Sequence, residues 1–403
     1  MKKFALIAFA AGLTLSSCSS DDDVAVTTEN PIIIPQNYTF ERGTSSTVNY
    51  EGQTTRLEMS AELLASFNDF DNASEQTLAN MFSNENAPFS SAALNASSKS
   101  IKSKVAASTL YFSANTVESA MIKNDFDGFI QEQMNVVKSN KDQLAEPGKA
   151  GQVASGSKER YVNGKGLELN QAFAKSLIGG LVLDQILNNY LSTGVLDEGD
   201  NRMNNKAEIV EEGTNYTTME HKWDEAYGYL YGNPSIPSSD PNSVLNESDD
   251  HLLFNYLGEV DGDEDFSGLA SSTFEAFKKG RAAIVAEDYA QRDLQAEIIK
   301  ENLSKVIAVR AVHYLQGGKN DLAEQNYGSA FHALSEGYGF IYSLRFTNNP
   351  VTNMPYITKA QVDSYKEQLL AGNGFWDVNA ATLDTISEEI ASAFGFSVME
   401  AAE

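Results

Sequence analysis

TNYTTMEHKWDEAYGYLYG (residues 214–232) and QNYGSAFHALSEGYGFIYS (residues 325–343) are two stretches of one 403-residue chain. Laid over each other at an offset of 111 residues, they share Asn, Tyr, His, Glu, Tyr, Gly and Tyr without a gap. The chain has only four histidines, and two of them, His221 and His332, fall at equivalent places. A rare residue and six others in register imply a duplicated unit, and the unit reads as a helix. A 3.6-residue turn sets His221 and Glu225 on one face, with Gly228 beyond them. His332, Glu336 and Gly339 repeat that face, and Tyr227/Tyr231 and Tyr338/Tyr342 form an adjacent one.

Imidazole and carboxylate at i and i+4 make half of a transition-metal site on a helical bundle. Two such halves brought together offer His221, Glu225, His332 and Glu336 as metal ligands, with Asp224, Tyr227 and Tyr338 as additional ligand-binding groups. The competing reading is structural: a His–Glu pair on a helix also serves as a hydrogen-bonded pair that stabilises a buried turn. Asp224 has Ser335 as its counterpart, so it serves one half only.

Outward from the two segments the pattern is helical almost throughout. Residues 54–67, 73–82, 117–141 and 167–191 carry helical spacing in the first half. Residues 271–291, 294–315, 321–344, 359–370 and 381–394 carry it in the second. The run LIGGLVLDQIL inside 167–191 is strongly apolar, but Glu168, Lys175 and Asp184 mark it as a core helix rather than a membrane span. Gly179 and Gly180 within it each cost about 1 kcal/mol against Ala, tolerable where a neighbouring helix must come close. Residues 148–166, rich in Gly, Ser and Lys, read as a mobile connection. The expected fold is therefore all-α: two pseudo-symmetric helical bundles, residues 53–232 and 269–403, joined by a loop-rich connection at 233–268. Ahead of them, residues 38–52 alternate Tyr38, Phe40, Val48 and Tyr50 with polar groups around Arg42-Gly43, the signature of an extended arm or hairpin. The acidic run EVDGDED at 259–265 lacks the glycine and terminal glutamate of a calcium loop and reads as a solvated acidic loop.

The first seventeen residues, MKKFALIAFAAGLTLSS, have a basic start and an apolar segment too short to span a bilayer as a mature helix. They lead into Cys18 through Leu15-Ser16-Ser17, which resembles a bacterial lipobox and implies lipidation of Cys18. Ser19 to Asp23 follow as the start of an acidic tether (residues 18–37), similar to surface-export signals of Bacteroidota lipoproteins. The expected location is the outer membrane, lipid-anchored and facing the cell surface. A net charge of −27 argues against nucleic acid as a partner, because polyphosphate is repelled.

EHKWDEAYGYLYG and FHALSEGYGFIYS, together with the lipobox, resemble imelysin-like proteins, and the arm 38–59 looks like that of a Bacteroidota lipoprotein branch of them. The family pattern is Gly-x-His-x-x-Glu. Met219 and Ala330 stand in place of its glycine, and the glutamates fall one residue later, at Glu225 and Glu336. The resemblance implies a non-catalytic lipoprotein of iron or haem acquisition. It would bind iron or another divalent transition metal, as the ion or a chelate, near a TonB-dependent transporter. Two alternatives belong to other classes. A glycan- or nutrient-binding partner of such a transporter presents exposed aromatic platforms. A metallopeptidase needs two histidines four apart around a glutamate, and no His-Glu-x-x-His occurs in the sequence.

Overall fold

The structure, a computed structural model, describes residues 30–156 and 158–402. The lipobox, Cys18 and the Ser19–Asp23 run lie outside the described residues. The described residues are all-α apart from two small hairpins. No helix of the described residues is long and apolar enough to cross a membrane.

The N-terminal arm forms as its alternation predicts. Glu41–Arg42 pairs antiparallel with Ser45–Ser46, turning at Gly43 with φ of 68°. Tyr38 and Phe40 are buried on the helical body. The first helix, Glu51–Ser66, starts two residues earlier than the change of period at Gln53 suggests. The apolar run is the centre of the first half. Leu169–Leu177 is α-helical and continues as a wider π-helical run, Ile178–Tyr190, in which every residue is buried. Gly179 there admits the neighbour its sequence position predicts: its N–H donates to Ser343 Oγ at 3.0 Å, and a Cβ would stand 2.5 Å from that side chain.

The second half is built on the 35-residue helix Tyr289–Ala323, packed against Leu269–Val285, Tyr327–Ser343 and Ala380–Phe394. Both quoted stretches are helices, Thr218–Tyr231 and Tyr327–Ser343. Thr217 and Glu220 close a capping box at the start of the first.

The duplication extends beyond the two motif helices. Thr218–Tyr231 packs on Glu51–Ser66, and Tyr327–Ser343 packs on Leu169–Leu177. In each pair the motif helix holds the residue that precedes its partner helix by one or two positions. The Asn49 N–H donates to Asp224 Oδ2 at 3.3 Å, and the Glu168 N–H donates to Ser335 Oγ at 2.8 Å. Asp224 and Ser335 are equivalent in the repeat, so both halves use that position to satisfy a backbone donor at a helix start. The pairs interleave along the chain, because Leu169–Leu177 precedes the first motif helix and packs on the second.

Two segments differ from the sequence reading. Residues 148–166 are not a mobile connection: Gly151–Ser155 pairs antiparallel with Lys158–Val162. Composition hides this, because the ordering comes from a distant contact. Gly328 on the second motif helix lies against the Ala154 carbonyl, and Ser155 Oγ is 3.2 Å from Ser329 Oγ. The connection 233–268 contains a helix, Leu253–Asp261, that the acidic run masks. Asp261 ends it and accepts the Gly268 and Ala270 N–H groups at 3.0 and 2.7 Å. That carboxylate is thus committed to capping.

Candidate functional site

The two histidine-bearing turns have separate surroundings. In the first copy, His221 Nδ1 donates to the Asn49 carbonyl at 3.1 Å, and the ring stacks on Tyr216 with centroids 4.5 Å apart. Burial pushes the His221 imidazole below its usual range. Glu225 is held by Lys222 at 2.9 Å and by Gln53 at 3.0 Å. Burial pushes its carboxyl up, but Lys222 and His221 outweigh burial and keep it below the usual carboxylate range. This copy is a satisfied packing unit.

Asp224 and Tyr227 belong to a buried network beside it. Tyr38 Oη donates to Asp224 at 2.7 Å, the Tyr38 and Tyr227 rings stack 3.6 Å apart, and the fully buried Arg281 reaches Asp224 at 3.0 Å and Glu220 at 3.1 Å. Arg42 of the hairpin closes the network on Glu220 at 3.2 Å. These charges clamp the N-terminal arm to the first motif helix. The Tyr227 hydroxyl, with those of Tyr229 and Tyr231, is buried without a hydrogen-bond partner among the described residues.

In the second copy, His332 is a quarter exposed. Its Nδ1 donates to Glu168 Oε2 at 3.3 Å, and its Nε2 lies 3.8 Å from Glu336 Oε2. Glu336 pairs with Lys175 at 3.2 Å. Burial raises the Glu336 carboxyl, and Lys175 and His332 together bring it below the usual range. Tyr338 is buried on the adjacent face, its hydroxyl pushed upward by burial.

His332, Glu336 and Lys175 open into a cavity of about 660 Å³, to which the first copy contributes neither His221 nor Glu225. Among the described residues no three His, Cys, Asp or Glu side chains are gathered to hold a metal ion, so the two copies do not build one four-ligand centre. The cavity instead gathers groups from four parts of the chain. The Gly151–Val162 hairpin supplies Lys158 and Arg160, the apolar helix supplies Lys175, and the loop before Leu253 supplies Asp249 and His251. Tyr256 forms an aromatic wall, with the Lys175 ammonium 5.0 Å from its ring centroid.

In a protein of charge −27, the lining carries three cations, Lys158, Arg160 and Lys175, against two carboxylates, Asp249 and Glu336. At its edge Arg160 Nε faces Glu168 Oε1 at 3.9 Å, too far for a hydrogen bond, and both atoms are buried without a partner among the described residues. Buried donors and acceptors left open in this way mark where a ligand or water belongs.

His332 and Glu336 stand out in the sequence as site residues, and Glu168, Lys175, Arg160 and His251 do not. Arg160 stands in a segment that reads as mobile. His251 lies outside the repeat, with no neighbouring pattern to distinguish it.

Fold and cavity define an internally duplicated, all-helical protein with one copy of its motif engaged by Asn49, Tyr216, Lys222 and Gln53 and the other lining a cavity. The chain belongs to the family of the domain of unknown function DUF4856, which matches residues 35–397. No curated protein and no solved structure shows significant similarity to it.

Proposed function

We propose that this chain is a lipid-anchored binding protein of a bacterial outer membrane that captures an anionic metal chelate in the His332 cavity. The carrying observation is the composition of that cavity: two of the four histidines and a local excess of cations in a strongly acidic molecule. A bare ion has less support, because no three His, Cys, Asp or Glu side chains among the described residues are gathered to hold one. A chelate brings most of its own ligands. It asks the protein for one imidazole and for cations to meet its carboxylate or phenolate oxygens. The cavity volume suits an organic ligand. The resemblance of the two motif segments to imelysin-like proteins and the lipobox at Cys18 support the same reading, a binder in iron or haem acquisition rather than a catalyst.

Spectrophotometric titration of the full chain with haem and with ferric citrate tests it, beside the iron-free ligands and aqueous ferric and zinc ions. A chelate binding one to one is expected. Binding at least tenfold weaker for the iron-free ligand, and weaker again in His332→Ala or His251→Ala, completes the expectation. Affinity unchanged in both histidine variants, or no chelate binding at all, overturns it.

A further inference from the structure

A second cavity, about 350 Å³, lies where the two halves meet, away from the His332 site. The first half contributes Thr109 and the residues after the π-helical run, from Leu191 to Gly194. The second half contributes one face of the Tyr289–Ala323 helix and the loop at Pro350 and Asn353. Asp293, Glu297 and Lys300 are spaced four and three residues apart, so the helix turns all three toward the cavity.

Lys300 is only 6% exposed, yet its ammonium makes no hydrogen bond or ion pair among the described residues. A buried cation is ordinarily paired, because removing it from water is costly. Burial accordingly pushes the Lys300 amine below its usual range, with Glu297 and Asp293 pulling the other way. Asp293 is already occupied by Arg292 at 2.7 Å. Glu297, at the exposed rim, has no ion pair either. The cavity therefore offers a cation and, three residues away on the same helix, an anion, which attract each other but share no hydrogen bond or ion pair among the described residues. The lining also includes Leu110, Leu191, Ala296 and Pro350, with the Thr193 hydroxyl and the Asn353 carboxamide unengaged among the described residues.

We infer that this cavity binds a small zwitterion, an α-amino acid with an apolar side chain, its carboxylate on Lys300 and its ammonium toward Glu297. A neutral sugar leaves the Lys300 ammonium without an anionic hydrogen-bond partner, and a simple dicarboxylate is repelled by Glu297. The inference is independent of the His332 cavity, with which this one shares no lining residue.

Isothermal calorimetry of the full chain tests it with leucine, methionine and valine, with leucinamide and isoamylamine as analogues lacking the carboxylate, and with glucose. At least one of the amino acids is expected to bind one to one, and both analogues at least tenfold more weakly. Lys300→Met is expected to abolish binding with no loss of thermal stability, since it removes a desolvated charge while keeping the shape. Glu297→Gln, at an exposed position, is expected to weaken binding at least threefold and serves where Lys300→Met fails to fold. No binding by any of the three amino acids, equal binding by leucinamide, unchanged affinity in either variant, or glucose binding in their place overturns the assignment.

Discussion

Gly339 meets Lys175 so closely that a Cβ on the glycine would stand 2.4 Å from the Lys175 Cβ. Its counterpart in the first copy, Gly228, meets Tyr50 in the same way, at 2.3 Å. The repeated glycine is therefore the contact point of each motif helix with its partner, and this contact brings Lys175 within reach of Glu336. Gly339→Ala and Gly228→Ala should each destabilise by about 1–3 kcal/mol or more, because the neighbours are backbone and Cβ atoms that cannot swing away. Gly317, inside the Tyr289–Ala323 helix, has nothing within 4 Å of an added Cβ. Gly317→Ala should gain up to about 1 kcal/mol from helix propensity. Urea denaturation of the three variants separates the cases. Equal effects at Gly339 and Gly317 would leave the close approach without consequence.

The repeat was legible because seven positions align without a gap, and its glycine, histidine and glutamate do occupy one helical face. The convergence of the two faces was not legible. Periodicity gives the direction of a side chain from its own helix and says nothing of which helix stands opposite. His221 meets the backbone of Asn49 where His332 meets the carboxylate of Glu168, and the cavity at His332 is walled by elements that lie far away in the sequence, the 151–162 hairpin and the loop before Leu253. The 151–162 hairpin and the Leu253–Asp261 helix were hidden for a related reason: long-range packing orders the first, and an acidic run made for capping disguises the second.

The Lys175–Glu336 pair joins the apolar helix to the second motif helix with both side chains about nine-tenths buried. Lys175→Met should cost about 3–5 kcal/mol, since it leaves a buried carboxylate without its ammonium partner and with only His332 beside it. Lys175→Met/Glu336→Gln should cost clearly less than the single change, because the stranded charge is gone as well. A double-mutant cycle by chemical denaturation measures this. A double variant less stable than Lys175→Met would mean that Glu336 is held by something other than Lys175.

Arg281 and Arg42 both reach Glu220, but only Arg281 is fully buried, while Arg42 is a quarter exposed. Arg281→Met strands the fully buried Asp224, leaves Glu220 to Arg42 alone and releases Thr47. It should cost about 3–5 kcal/mol and detach the arm. Arg42→Met leaves Arg281 in place and should cost about 1 kcal/mol. Limited proteolysis reads the arm directly: cleavage between residues 38 and 50 should accelerate in the Arg281 variant and little in the Arg42 variant. The reverse order would place the clamp elsewhere.

Asp184 sits fully buried in the π-helical run, accepting the Ala107 and Ser108 N–H groups at 3.0 Å each, with no cation among its hydrogen-bond partners. Burial raises its carboxyl to about 6, against the pull of those hydrogen bonds. Because the folded value lies above the unfolded one, the native state binds more protons between the two. The sign follows: ionisation of Asp184 subtracts stability as pH rises from about 4 through about 6, and nothing further is lost above that. At 1.36 kcal/mol per unit, the penalty above the window is about 3 kcal/mol. Asp184→Asn keeps an oxygen for the two amides and removes the titration. The stability of the native chain relative to this variant should fall by about that amount between pH 4 and pH 7, as measured by urea unfolding at successive pH values. A difference that stays flat across that range would mean that the two amides and Asn188 hold the carboxylate charged despite its burial.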